Sequence, residues 1–281
     1  MKQTPEPSFD VETSGDESMD ALFDSIGFEI NQADDYYSLL EYTDRIGTQS
    51  SIARGKATLQ GYCWKVGEGL EVWSWLCSSE GKIFYEDCRP AFRSRYSHVL
   101  EPWELIEYEE SGDAILRGYG QDGGEVIFQL QNLTELSPQT FHYSHLHVAF
   151  AGLAYSAYAR SGSYLKRAPS RFELVEEPDF TDDDYESDYL IRGRVLAWRY
   201  LKNPVTENDL AWIYVDVGKL RLEVIVNRND LRGRLKIGAA LSARVWLQGH
   251  ILVESDLEAR YEGVDPSYEV GDFWYALRRG N

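Results

Sequence analysis

The chain has 281 residues with 47 acidic and 28 Lys or Arg side chains, a formal net charge of −19, and 43% hydrophobic residues. That length and apolar content support a sizeable core and suggest two domains, while the acidic balance argues against a chain that coats nucleic acid or an anionic membrane. There is no 18-residue apolar run and no signal-peptide h-region near Met1, and three cysteines (Cys63, Cys77, Cys88) without CxxC spacing fit a reduced, cytoplasmic setting.

Residues 1–18 are Pro-, Ser- and acid-rich and predict a disordered acidic tail. Order is expected from Met19, with a short strand over Gly27–Ile30 and a helix over Asp34–Ile46. Asp34 and Asp35 open that helix, Arg45 sits in its last turn and Gly47 follows. Gly61–Val66 and Leu70–Leu76 flank Gly67-Glu-Gly and predict a hairpin, with a third strand at Lys82–Asp87. Ala114–Gly120 and Glu125–Gln131 predict another hairpin across Gln121-Asp-Gly-Gly. Ser137-Pro138 is an N-cap and N1 pair, and the apolar spacing after it predicts a helix running to Arg160.

Residues 171–188 are acid-rich and read as a linker. Residues 189–255 read as a small barrel, followed by a tail (256–281) whose Phe273-Trp-Tyr-Ala-Leu is apolar enough to dock on the body. The barrel segment is basic within an acidic chain. Ile213, Val215 and Val217 alternate with Trp212, Tyr214 and Asp216, and Leu220, Leu222, Val224 and Val226 alternate with Lys219, Arg221, Glu223 and Ile225. Period two is the signature of a strand with one buried face. The first strand changes phase at Val195–Leu196, as a bulged strand does. No internal repeat is evident. The fold class expected is thus α+β, with an α+β domain over 19–170 and the barrel after it.

The opposite face of the barrel collects Trp212, Tyr214, Lys219, Arg221, Arg244 and Trp246 as ligand-binding candidates. The arrangement resembles an OB-fold, a resemblance that implies single-stranded nucleic acid or sugar as ligand. Docking of that face on the first domain is the competing reading. His142, His145 and His147 are the sharpest chemical cluster, yet neither a helix nor a strand puts all three on one side. No GxSxG turn, P-loop or dinucleotide-binding glycine pattern occurs.

The order over Gly27–Glu86 resembles one module of the vicinal oxygen chelate (glyoxalase-like) superfamily. That resemblance implies a divalent metal held by Glu29 and Glu71. More broadly, Ile26-Gly-Phe, Gly61-Tyr-Cys-Trp, Gly67-Glu-Gly-Leu-Glu-Val-Trp, Asn203-Pro-Val-Thr and Trp246-Leu-Gln-Gly resemble the pattern of an uncharacterised bacterial protein family with no activity attached. The expectation is a non-catalytic binding or assembly protein, with no cofactor and with a protein partner or self-association. The alternatives are a metal-dependent enzyme and a single-stranded nucleic-acid binder.

Overall fold

The computed structural model describes residues 19–54, 56–79, 82–108, 113–160, 169–175 and 187–253. The expected tails at 1–18 and 256–281 and most of the expected linker, 176–186, lie outside these residues. Strands account for 62% of the structure and helices for 14%, which replaces the expected α+β class with a mostly β protein. No helix among the described residues is long and apolar enough to cross a membrane.

Two α-helices, α1 (Met19–Ser25) and α2 (Ala33–Ile46), lead the chain. In α2, Asp35 Oδ2 accepts the backbone N–H groups of Asn31 (3.0 Å) and Gln32 (3.2 Å), satisfying donors that the helix start leaves open. Gly27–Ile30, expected as a strand, is a loop. Gly27 there has φ +85°, and a Cβ would come within 3.2 Å of Asn203 and Asn208, so the position suits glycine alone.

A four-stranded antiparallel meander follows: β1 (Thr48–Arg54), β2 (Ala57–Gly67), β3 (Leu70–Ser79) and β4 (Lys82–Phe92), in that order across the sheet. The β2–β3 turn is the expected Gly67-Glu68-Gly69, all three at positive φ. The remaining strands are β5 (Ser97–Tyr108), β6 (Asp113–Gly120), β7 (Glu125–Leu130), β8 (Leu146–Arg160), β9 (Arg171–Leu174), β10 (Asp188–Lys202), β11 (Asp209–Asp216), β12 (Arg221–Asn227), β13 (Leu231–Gly233) and β14 (Ala240–Ile251). The bulge read from the sequence is present, as a register shift between Val195 and Ala197.

The helix expected from Ser137 to Arg160 is the largest local error. Only a 3-10 turn forms, at Pro138–His142, and β8 replaces the rest. Both faces of β8 are buried over Val148–Ala154, so its sequence is a near-continuous apolar run. Such a run lacks the alternation that separates strand from helix, and tertiary packing overrides the helix propensity of its alanines.

Connectivity shows a repeat that the sequence conceals. The meanders β5–β6–β7 and β10–β11–β12 are equivalent: the first strand of each pairs antiparallel with the long strand ending its half (β5 with β8, β10 with β14). The third strand of each pairs parallel with the long strand of the other half (β7 with β14, β12 with β8), and β8 pairs antiparallel with β14. Two five-stranded rings therefore share the β8–β14 ladder. A 3-10 turn with an asparagine at its N-cap position follows the third strand in both halves, Asn132 before Leu133–Glu135 and Asn227 before Arg228–Asp230; of the two, Asn227 accepts from its turn, at Asn229 N.

Packing uses both faces of the second ring. Ala211, Ile213 and Val215 on β11 join Leu222, Val224 and Val226 on β12 in the main core. Leu210, Trp212, Tyr214 and Ile225 point the other way and are covered by Leu22, Phe23 and Ile26 near α1, by Leu39 and Leu40 of α2, and by Leu70, Val72 and Phe92 of the meander. The alternation called from the sequence is therefore real, but over 210–215 and 222–226 both of its faces are interior.

Candidate ligand-binding cleft

The barrel face divides into a covered part and an exposed part. Trp212 and Tyr214 are 5% and 8% exposed, and the Tyr214 ring stacks on Tyr96 at 4.2 Å. Beneath them Glu223 is fully buried. Its Oε1 accepts from Ser94 Oγ (2.7 Å) and from the N–H groups of Arg95 and Tyr96, and its Oε2 accepts from Trp212 Nε1. Burial pushes this carboxyl above its usual range while the four donors pull it back. Arg244 is also buried and meets Asp188 at 3.0 Å, its guanidinium lying over the Tyr155 ring. Trp246 is half-buried, and only Lys219 and Arg221 of the six candidates are exposed. The covered rings make a joint between the rings and the helices, where an external base cannot stack.

The metal candidates are dispersed. Glu29 is exposed in the loop before α2 and accepts from Asn208 Nδ2 at 3.3 Å. Glu71 is buried on β3, where Trp73 Nε1 (3.0 Å) and Arg93 Nε (2.5 Å) engage its two oxygens. His142 ends the 3-10 turn, His145 lies beside Ser144 Oγ (3.0 Å), and His147 is the second residue of β8; all three are exposed. Among the described residues, no group of three or more His, Cys, Asp or Glu is placed to hold a metal ion.

A buried polar junction went unread in the sequence. Arg93, held by Glu71, places Nη1 3.2 Å from His250 Nε2, and Asn132 Nδ2 lies 3.3 Å from the same nitrogen. Nearby, Gln131 donates to Gln248, and Gln248 donates to Pro90 O at 2.9 Å. These bonds weld the meander to β7 and β14. Cys63 lies in the same electrostatic neighbourhood, but burial raises its thiol pKa, and burial also raises those of Cys77 and Cys88. Thiol chemistry runs through the thiolate. Ellman's reagent at pH 8 is therefore expected to label none of the three cysteines in the native protein and all three in denaturant; one fast native equivalent would show that one of them is open.

An open concavity lies elsewhere. A cleft of about 340 Å³ is lined by Phe28, Glu29, Ile30, Asp35, Ser38, Leu39, Tyr42, Trp64 and Val205. Its floor is aromatic: Trp64 meets Phe28 at 5.7 Å and Tyr42 edge-on at 4.7 Å. Helix α2 forms one wall, and the β10–β11 loop forms the other. That loop is fixed by side-chain bonds. Asn203 Nδ2 donates to Ile26 O (2.8 Å), and Thr206 Oγ1 (2.7 Å) and Asn208 Nδ2 (3.0 Å) donate to Gly27 O. Asn203 Oδ1 in turn accepts from Val205 N at 2.8 Å. Pro204 sits where a Cβ on Gly67 would come within 3.2 Å, and Glu68 pairs with Arg199 at 2.9 Å.

Four of the five segments singled out in the sequence therefore converge on one place. Ile26-Gly-Phe and Asn203-Pro-Val-Thr bond to each other, Trp64 forms the floor, and Gly67-Glu-Gly braces the loop. A family model described as a domain of unknown function (DUF3881, E. rectale gene description) matches residues 177–249. That is under half of the chain. No curated protein and no solved structure matches. The matched stretch includes the Asn203–Thr206 wall of the cleft but neither its floor nor α2.

Proposed function

We propose that this chain is a non-catalytic binding or assembly protein whose ligand or partner docks in the aromatic cleft between α2, Trp64 and Val205. The observation that carries this reading is the contrast between the cleft and the aromatic barrel face expected from the sequence. Trp212, Tyr214 and Trp73 are packed inside, whereas Tyr42 and Val205 stay 39% and 55% exposed around a concave apolar floor. Concave sites lined by apolar and aromatic groups with a few polar ones are the usual form of a binding site. The strongest internal charges, by comparison, serve as cross-links: Glu71 with Arg93, Asp188 with Arg244, and Arg89 with Asp87 and Asp113. Buried thiols suit a reducing compartment, and the cytoplasm is the setting we propose.

Indole serves as a neutral aromatic probe. It is expected to shift the Trp64 indole N–H signal in NMR spectra saturably, with affinity on the order of millimolar for so small a ligand. Val205→Asp puts a charge on an exposed wall residue and should abolish that shift while leaving thermal stability unchanged. A Trp64 signal that stays still under saturating indole would remove the cleft as a binding site.

A further inference from the structure

We propose that the group received by the cleft is cationic: an arginine or lysine side chain presented by a partner protein. The inference rests on the cleft being the binding site and adds the chemistry of its occupant. Three features of the cleft support it.

The first is the floor. Phe28, Trp64 and Tyr42 are mutually tilted, at 54° and 68°, so their ring faces point in different directions around one hollow. A ring face attracts a cation within about 6 Å of its centroid, and most strongly for tryptophan. The Tyr42 ring already has the Arg45 guanidinium at 5.2 Å.

The second is the rim. Glu29 and Asp35 line the cleft, and Asp34 and Glu41 stand beside it on α2; Glu29, Asp34 and Glu41 are exposed and Asp35 is half-buried, and none of the four makes an ion pair among the described residues. Asp34 and Asp35 lie in the first turn of α2, where the helix dipole contributes roughly half a positive charge. That offsets only part of the rim. Lys65 follows Trp64 on β2, and alternation along a strand turns its side chain to the opposite face. Four carboxylates thus face the cleft's surroundings against one guanidinium, that of Arg45.

The third is shape. Asp35 to Tyr42 spans two helical turns, about 10 Å, and the walls at Tyr42 and Val205 remain open to water. A free small cation would leave much of its surface outside such a trough. A long side chain anchored in a partner fits better: its methylene stem lies on Leu39 and Val205, and its charged head stays near the acids.

The test uses the full chain and fluorescein-labelled peptides followed by anisotropy. The probe is Gly-Ser-Leu-Arg-Leu-Arg-Ser-Gly; the controls carry Gln or Glu at both Arg positions. The Arg peptide is expected to bind roughly tenfold tighter than the Gln peptide at low salt, and the Glu peptide not at all. An Asp34→Lys, Glu41→Lys variant should lose that tenfold preference yet keep the indole response, and Trp64→Ala should lose the Arg-peptide binding. Equal binding of the Arg and Gln peptides would overturn the cationic occupant while leaving the cleft as a binding site, as would silence of all peptides with indole still bound. Arg-peptide binding that survives both Trp64→Ala and the double lysine variant would mean diffuse attraction to an acidic protein, and would also overturn it. Silence of peptides and indole together would instead remove the cleft itself.

Discussion

Glu223→Ala is expected to destabilise the fold by about 3–5 kcal/mol, the scale on which breaking a buried charged hydrogen-bond cluster costs. The reason is what remains behind. Ser94 Oγ, the N–H groups of Arg95 and Tyr96, and Trp212 Nε1 all donate to this one carboxyl, and the truncation would strand them in a dry site. Glu223→Gln should cost less, about 1–3 kcal/mol, because its amide oxygen still accepts while its NH₂ group opposes a donor. The two variants also separate charge from shape through pH. Burial raises the folded-state pKa of Glu223, so the folded state holds the proton more tightly than the unfolded state. Its contribution to stability is then fully present below the ordinary glutamate range and lost as pH rises through the raised value. Urea midpoints should accordingly fall with rising pH on account of this group, and the slope should flatten in Glu223→Gln. Identical pH profiles for the two proteins would contradict that assignment.

Residues 187–253 expressed alone are expected not to fold, although they contain the whole β10–β14 series. The second ring is closed by β8, which pairs with β12, β13 and β14 and comes from residues 146–160. Without it β14 loses the ladder that runs its full length, and β12 and β14 become bare edges prone to pair with other chains. The segment would also expose Leu210, Trp212, Tyr214 and Ile225, which α1, α2 and the meander cover. A core this small rarely supplies more than 3–5 kcal/mol even when complete. The fragment should therefore give a collapsed amide spectrum without a cooperative transition, whereas residues 19–253 contain every strand of both rings together with the helices and meander that cover them and should give a dispersed one. A cooperative melt from 187–253 alone would sink the idea. The family model matching 177–249 covers a stretch that, on this view, needs a strand from outside it.

These two results locate what was legible in the sequence. Helix α2 was readable because its signals are local: acids in the first turn, an arginine in the last and a glycine beyond. The β2–β3 hairpin was readable from Gly67-Glu-Gly, and β11 and β12 from strict alternation. Even the bulge near Val195 showed as a change of phase. Strand β8 was misread because burial on both faces erases periodicity, and that single error hid both rings. The covered state of Trp212 and Tyr214 was one of two readings left open, since alternation shows that two faces differ but not what lies against each.

The cleft was missed for a different reason. Phe28, Trp64 and Val205 are ordinary residues in three distant segments, and their meeting depends on Asn203 and Thr206 reaching back across some 180 positions to the carbonyls of Ile26 and Gly27. The segments themselves had been picked out as a pattern. Only their distance in sequence kept them apart.

The crossed pairing of β7 with β14 and β12 with β8 also sets a schedule for synthesis. The first ring contains β5, β6, β7 and β8, all translated by residue 160, yet it stays open at least until β14 has been synthesised at residue 251. For about ninety codons, at 5–20 residues per second, the parallel edge of β7 and the long flank of β8 have no native partner. Nascent chains stalled within that interval should recruit trigger-factor-like or other holding chaperones more strongly than chains stalled beyond it. The acidic charge of the chain gives some protection against aggregation during that wait.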